Sequence, residues 1–91
     1  HGNDLHSEVE IDFIGAILGK QISVQTLDNF APIDIPAGTQ PHHEFKLSGK
    51  GLPNEEGTDT GDQLVTLRIK LPTEISSYQL NLLQKFYLDP P

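Results

Sequence analysis

The pair His42-His43, followed by Glu44, is the part of the sequence best suited to binding a transition metal. Imidazole and carboxylate groups are common zinc ligands. Adjacent residues of a strand point to opposite faces of the sheet, however, so His42 and His43 cannot easily share one ion. We interpret them as solvated histidines, and we predict no metal site.

Four carboxylates lie close together in or next to a polar stretch, which raises the possibility of calcium: Glu55, Glu56, Asp59 and Asp62. Residues 54–62 lack the Gly at the sixth position and the Glu at the twelfth that a helix-loop-helix calcium site needs. The interpretation is therefore a flexible acidic loop.

Glu8, Glu10 and Asp12 place paired carboxylates at a spacing of two, as in some acid-base enzymes. Nothing in the sequence marks them as buried, so a solvated strand face explains them better. The sequence has no nucleophile elbow, no phosphate-binding loop and no zinc-protease motif. It has no Cys either, which excludes thiolate chemistry. We predict that the chain is not an enzyme and needs no cofactor.

The charge balance limits the partners. Thirteen acidic residues against six basic ones give a formal charge of −7, which repels nucleic acid and anionic lipid. The longest apolar runs, such as residues 14–18, fall far short of the roughly 20 residues that span a bilayer. We expect no nucleic-acid partner and no membrane segment. Because the chain lacks Met and begins with His1-Gly2, which resembles a cleaved tag, we also expect it to be a segment of a longer protein.

Strict alternation of apolar and polar residues predicts several strands. In the first, over residues 5–13, the acidic positions face outward and the inward set is Leu5, Ser7, Val9, Ile11 and Phe13. A buried helical turn is predicted over residues 14–19, its side chains closing one end of the core and Gly19 ending it. Two further strands follow, with one face each formed by Ile22, Val24 and Thr26 and by Ala31, Ile33 and Ile35.

The connections are predicted from their turn residues. Asp28 and Asn29 favour a tight hairpin because both tolerate positive φ. Residues 36–39 end a strand, residues 44–47 form a short one that buries Phe45 and Leu47, and residues 49–62 form a long exposed loop. The last strand covers residues 63–71 with Val65, Leu67, Ile69 and Leu71 inward. Its basic outer face would complement the acidic first strand if the two were neighbours.

A helix is predicted after Pro72. Ser76 and Gln79 form a capping box, and the apolar side chains form two adjacent stripes: Leu80, Leu83 and Tyr87, and beside them Leu82 and Phe86. Together these elements predict one domain over residues 1–91 that is mainly β. It would be a small β-sandwich or partly open barrel with one short internal helical turn and a C-terminal helix.

The order of several short motifs resembles a known family. These motifs are Gly2-Asn3-Asp4-Leu5, Ala16-Ile17-Leu18-Gly19, Val24-Gln25-Thr26-Leu27-Asp28, Ile35-Pro36-Ala37-Gly38-Thr39-Gln40, Leu47-Ser48-Gly49-Lys50-Gly51-Leu52-Pro53, Thr60-Gly61-Asp62 and Leu71-Pro72-Thr73. Each is weak alone, but the ordered set is similar to the second carboxy-terminal β-domain of DnaJ-type (heat-shock forty) co-chaperones. One difference is Gly61-Asp62-Gln63-Leu64, where the family usually has Gly-Asp-Leu; it leaves two possible registers for the last strand.

The resemblance implies a client-holding and dimerisation module, cytoplasmic, that binds unfolded polypeptide and assists a DnaK-type chaperone through the parent protein. It implies a β-domain over residues 2–72 and a dimerisation helix and tail over 73–91. The homodimer contacts would be made by Leu80, Leu82, Leu83, Phe86 and Tyr87. No counterpart of the J-domain or of the zinc module occurs in this sequence.

The alternative is a β-sandwich protein-binding module of another class, such as an extracellular adhesion domain. The absence of Cys weakens it, since small secreted domains usually carry disulfides.

Overall fold

Five strands and two helices make up the fold in a computed structural model that describes residues 3–89. Their order is β1 (Leu5–Asp12), α1 (Phe13–Leu18), β2 (Lys20–Gln25), β3 (Phe30–Ile35), β4 (Glu44–Leu47), β5 (Gln63–Lys70) and α2 (Ser77–Leu88). One sheet has the order β1-β5-β4 and the other is the β2-β3 hairpin. The mainly β fold with a C-terminal helix is confirmed. Both sheets are open, so within residues 3–89 the architecture is that of a small sandwich and not a closed barrel.

The first and last strands, whose complementary faces the sequence left as a conditional expectation, are neighbours. β1 runs parallel to β5 from Leu5↔Gln63 to Asp12↔Lys70, which sets the acidic face of one beside the basic face of the other. Arg68 Nη1 lies 3.4 Å from Glu8 Oε1. Both side chains are exposed, so this ion pair contributes little more than about 0.5 kcal/mol. The pairing of the strands depends mainly on their buried faces.

The core lies between the two sheets and follows the predicted alternation. Val65 and Leu67 of β5 are completely buried. They are the centre of a cluster whose other buried members are Ile11, Ala16, Val24, Ile33 and Ile35. The half-buried Val9, Ile22, Phe45, Leu47 and Ile69 pack around it. The alternating positions therefore meet in one core.

Helix α1 ends as predicted, with Gly19 at φ +84°, but its predicted role in the core is wrong for most of its side chains. Ala16 is buried, whereas Ile14, Ile17 and Leu18 are exposed. A helix of six residues makes less than two turns, so only one side of it can face the sheets. The larger apolar side chains of α1 lie on the other side.

The β2-β3 hairpin forms without the predicted left-handed residues. Neither Asp28 nor Asn29 has a positive φ. The Thr26 hydroxyl instead donates to the Asn29 carbonyl at 2.9 Å and accepts from the Asn29 N–H at 3.1 Å. A side-chain hydroxyl that bonds the backbone three residues on closes the turn, so no residue needs the left-handed region.

The last strand keeps the predicted inward set up to Ile69. Gln63, two residues before Val65, also points inward and is only 3% exposed. This extra residue, compared with the family pattern, therefore does not shift the register of the strand. Leu71, which we predict to be buried, is 69% exposed. The reason is that the ladder stops at Lys70 and Pro72 cannot extend it.

Residues 49–62 are more ordered than the predicted exposed loop. Pro53 and Thr60 form an isolated bridge, and Gly51 is buried. The Gly51 N–H donates to the Gly61 carbonyl at 2.9 Å, and the Leu52 N–H donates to the Asn3 carbonyl at 2.7 Å. A Cβ atom added at Gly51 would lie 2.6 Å from Asn3 O. Only a glycine allows this approach of backbones.

Asp4 connects the start of β1 to the end of the 49–62 segment. Its Oδ1 accepts the Asp62 N–H at 2.8 Å, and this hydrogen bond holds the pKa of Asp4 below its usual value of 3.8. Three of the motifs that carry the family resemblance, those around Asn3, Gly51 and Gly61, therefore meet in space.

Helix α2 begins at the predicted capping box. Gln79 N–H donates to Ser76 Oγ at 3.1 Å, and Ser76 N–H donates to Gln79 Oε1 at 2.9 Å. No side chain of Ser77–Leu88 is buried. The radius of gyration over the described residues is 17.4 Å, compared with about 12 Å for a compact chain of this length. The helix projects from the sandwich.

Candidate functional site

A depression lies between β1 of one sheet and β2 of the other. We name it the β1–β2 groove; it is lined by residues 5–9 of β1, residues 23–27 and Gln63, and has a volume of about 420 Å³. Five residues of extended chain cover about 17 Å, which is the length of a short peptide strand. The groove therefore has the size for an extended segment of about five residues.

On one side of the groove lies the free edge of β1. The Leu5 N–H donates to the Asp62 carbonyl at 2.8 Å, so in this parallel ladder the odd residues of β1 bond to β5. The N–H and C=O groups of His6 and Glu8 consequently point away from β5 and into the groove side. They form a short row of backbone donors and acceptors that no other strand among residues 3–89 pairs with.

On the other side lies the free edge of β2. The Thr26 N–H donates to the Asn29 carbonyl at 2.7 Å, which makes this pair a hydrogen-bonded one. Alternation along the antiparallel ladder then directs the backbone groups of Ser23 and Gln25 away from β3. Two sheet edges without a neighbouring strand among residues 3–89 thus line one groove.

The same alternation explains the position of Pro32. It lies opposite Ser23, at a pair that makes no ladder hydrogen bond, so its missing N–H removes a donor from the outer edge of β3 and not from the ladder. Strand addition is therefore hindered at β3, while β2 keeps its donors on the groove side.

Gln63 links the two sides of the groove. Its Nε2 donates to Ser7 Oγ at 3.0 Å and to the Gln25 carbonyl at 3.1 Å. A carbonyl only accepts, so the bond to Gln25 fixes which end of the amide is the nitrogen. Oε1 is buried without a hydrogen-bond partner among the described residues.

The groove offers a ligand both apolar and polar side chains. Leu5 and Val9 contribute half-buried side chains and Val24 a buried one, while Leu27 at the hairpin tip is 57% exposed. His6 and Glu8 stand on the rim. Sequence reasoning did not find this site, because it depends on which edges remain unpaired. The only local signal was the extra residue Gln63.

The predicted dimerisation residues form a second exposed surface, which we name the α2 surface. All five are exposed: Leu80 by 47%, Leu82 by 47%, Leu83 by 37%, Phe86 by 73% and Tyr87 by 82%. Leu82 and Leu83 border a depression of about 250 Å³ that is also lined by Ile14 of α1 and by Ile75, just before α2. Leu83 and Tyr87 lie on the wall of a shallower depression along the helix.

The residues considered first for metal chemistry lie apart from both surfaces. The His43 ring makes an edge contact with Phe45 at a centroid distance of 4.7 Å, and His42 has a φ of +69°. Among residues 3–89 no group of three or more His, Asp or Glu side chains is arranged to hold a metal ion. The loop carboxylate Asp62 accepts the Gly49 N–H at 2.9 Å, a structural contact.

These features define the class: a two-sheet β-domain with open strand edges beside a groove of mixed polarity and an exposed C-terminal helix. Comparison with known proteins gives the family. Residues 1–72 match the model of the DnaJ C terminal domain. The chain is 44% identical over 85 residues to the chaperone protein DnaJ of Geobacillus kaustophilus, covering 93% of this chain and 22% of that protein.

Other relatives agree. The identity is 43% over 86 residues to the chaperone protein DnaJ of Acetivibrio thermocellus, with 94% of this chain and 22% of that protein covered. For the chaperone protein DnaJ of Lactobacillus acidophilus it is 41% over 88 residues, or 97% of this chain and 23% of that protein. The chain belongs to the DnaJ C-terminal domain family, and it spans less than a quarter of the length of these relatives.

Within residues 3–89, neither helix has the length and apolar character needed to cross a bilayer.

Proposed function

We propose that this chain is the client-holding and dimerising module of a DnaJ-type co-chaperone, and that unfolded polypeptide binds in the β1–β2 groove as an added strand. Family membership supports the co-chaperone role. The observation that carries the binding site is the pair of sheet edges that no neighbouring strand covers among residues 3–89, with His6 and Glu8 on one side of the groove and Ser23 on the other. Backbone pairing gives affinity with little dependence on sequence, which suits a holder of many clients.

The experiment that tests the site removes one edge donor. Ser23→Pro deletes an N–H on the groove side of β2 and leaves the β2-β3 ladder intact, since Ser23 lies opposite Pro32 at a pair that makes no ladder hydrogen bond. Gln21→Pro is the matched control, because Gln21 has the same position in the ladder but does not line the groove.

Binding of a fluorescent, extended apolar peptide and suppression of aggregation of a denatured test protein are the two measurements. Ser23→Pro is expected to weaken peptide binding about tenfold, the effect of losing one hydrogen bond and admitting a ring into the groove. Gln21→Pro should bind as the unchanged chain does. Equal binding by both variants would remove the groove from the proposal.

We further propose that the α2 surface joins two copies of the chain. A 12-residue helix without tertiary cover is marginal in water, and this one exposes six large apolar or aromatic residues beyond its first turn, Leu80, Leu82, Leu83, Phe86, Tyr87 and Leu88. Burial against a second copy would stabilise it. Sedimentation at micromolar concentration tests this proposal, and a monomer there would contradict it.

The division into a β-domain over residues 2–72 and a helix and tail over 73–91 is part of the same proposal. It is supported by the family match, which ends at residue 72, and by the start of α2 at Ser77. Pro90 and Pro91 of the tail lie outside the described residues. Delivery of clients to a DnaK-type chaperone in the cytoplasm, through the parent protein, completes the proposed role.

The family match favours this role over the alternative of an adhesion-type sandwich. That the module has no catalytic activity is likewise proposed, supported by relatives that are named chaperone proteins.

A further inference from the structure

We propose that Gln63 Oε1 accepts a main-chain N–H of the polypeptide bound in the β1–β2 groove, which makes Gln63 the residue that positions the bound strand. The proposal rests on the proposed function of the groove. Gln63 is 3% exposed and lines the groove, its Nε2 is held by Ser7 and Gln25, and Oε1 has no partner among residues 3–89.

The burial of an acceptor without a donor is the first part of the argument. Buried polar atoms in proteins almost always have a hydrogen-bond partner, and each exception needs a reason. The orientation of this amide is not interchangeable, because the Gln25 carbonyl requires the nitrogen. The unpaired oxygen is therefore the feature that a ligand can satisfy.

The neighbouring groups decide what kind of donor arrives. Gln25 presents its backbone on the free edge of β2, within hydrogen-bond distance of the Gln63 amide. A strand added to that edge projects an N–H at every second residue, so one of them comes next to Gln63. Recognition of the main chain is independent of the client's side chains, which fits a module that must hold many sequences.

Access to the oxygen requires a small movement. Oε1 has almost no accessible surface, so the rim of the groove must separate as the peptide enters. β1 and β2 belong to different sheets and share no ladder, so their separation breaks no strand pairing. The Nε2 bonds to Ser7 and Gln25 are the hydrogen bonds that this movement strains.

The test asks whether the contribution of one peptide N–H to binding depends on Gln63. The probe is a blocked seven-residue peptide of Leu, Val and Thr, made as a series in which each amide nitrogen is methylated in turn. With the unchanged chain, one methylation should lower affinity about fivefold more than its neighbours two residues away, the effect of one hydrogen bond. In Gln63→Leu that excess should disappear.

Controls separate positioning from folding. Gln21→Leu makes the same amide-to-aliphatic change outside the groove and should keep the excess. Ser7→Ala removes one bond to Nε2 but leaves Oε1, and should also keep it. Should Gln63→Leu not fold, the side-chain carbonyl ¹³C resonance of Gln63 in the unchanged chain gives an independent answer, since it should move on binding the unmethylated peptide and not the one methylated at the coupled amide.

An equal methylation profile in the unchanged chain and Gln63→Leu, with peptide still bound in the groove, would overturn the role of Gln63 alone. Absence of any binding would overturn the groove as well.

Discussion

The sandwich and helix α2 use the same apolar residue types in opposite ways. Leu67 in β5 is completely buried, whereas Leu82 in α2 is 47% exposed. The sandwich is stabilised by its own core, while α2 has a capping box but no buried side chain. One chain thus combines a unit with its own buried core and a helix whose large apolar side chains lie exposed.

The largest expected effect on the free energy of unfolding comes from Leu→Ala in the core, compared with the same substitution in α2. Leu67→Ala should lower the free energy of unfolding by about 3 kcal/mol, because it leaves a cavity in the closed core. Leu82→Ala should change it by less than about 0.5 kcal/mol in the monomer, as for an exposed position. Urea unfolding at low protein concentration measures both. Similar losses would show that α2 is part of the core in solution.

A second test of the sandwich concerns Gly51, where three backbone segments approach closely. Gly51→Ala should cost about 2 kcal/mol or more, because its Cβ would meet the backbones of Asn3 and Asp62 at 2.6 Å. Gly57→Ala is the control: its Cβ meets nothing, and only its φ of +69° costs about 1 kcal/mol. A larger loss for Gly57 than for Gly51 would contradict the close approach.

On the helix side, Phe86→Ala should weaken self-association by about 2 kcal/mol, as expected for a buried aromatic in an interface. Its effect on monomer unfolding should be small, since Phe86 is 73% exposed. Removal of residues 76–91 should leave a folded monomer. Sedimentation gives the association constant and urea unfolding the stability. Equal losses in both measurements would place Phe86 in the domain's own core.

Loss of the cap should affect the helix alone. Ser76→Ala removes the acceptor for the Gln79 N–H and should destabilise α2 by about 1 kcal/mol. Because α2 is hardly packed on the sandwich, this appears as reduced helicity by circular dichroism and not as a lower sandwich stability. A matching shift in the urea midpoint would show that the two regions unfold together.

The smallest expected effect is on the stability of the fold at acidic pH. The Asp62 N–H lowers the pKa of Asp4 below 3.8, so Asp4 stabilises the fold fully above that pH, and the contribution is lost as the pH falls through the lower folded value. Asp4→Asn should flatten the stability profile below about pH 4. Denaturant titrations at several pH values measure it. An unchanged slope would show that Asp4 does not titrate in folding.

Local patterns predicted most of the elements. Alternation identified the strands and their inward faces, and Ser76 and Gln79 identified the start of α2, because these signals act over a few residues. The alternation of apolar and polar residues continues to Leu71, beyond the end of the ladder at Lys70, and so predicted burial there. Burial requires a neighbouring strand as well as the alternation.

The groove could not be predicted in the same way. It exists because β1 pairs with β5 on one side and, among residues 3–89, with no strand on the other. No short segment of sequence reveals a pairing between residues almost sixty positions apart. The large apolar side chains of α1 were misplaced for a similar reason, since a short run of apolar residues does not reveal which side of the helix the sheets occupy.

Pro32 has a consequence for growth into fibres. Endless strand-to-strand stacking of this hairpin would require the outer edge of β2 in one molecule to pair with the outer edge of β3 in the next, a head-to-tail contact that never closes. With no N–H at Pro32, the β3 edge is a poor template for that contact, while two β2 edges can meet only as a closed pair. The proline thus makes head-to-tail growth through the β2-β3 hairpin unfavourable.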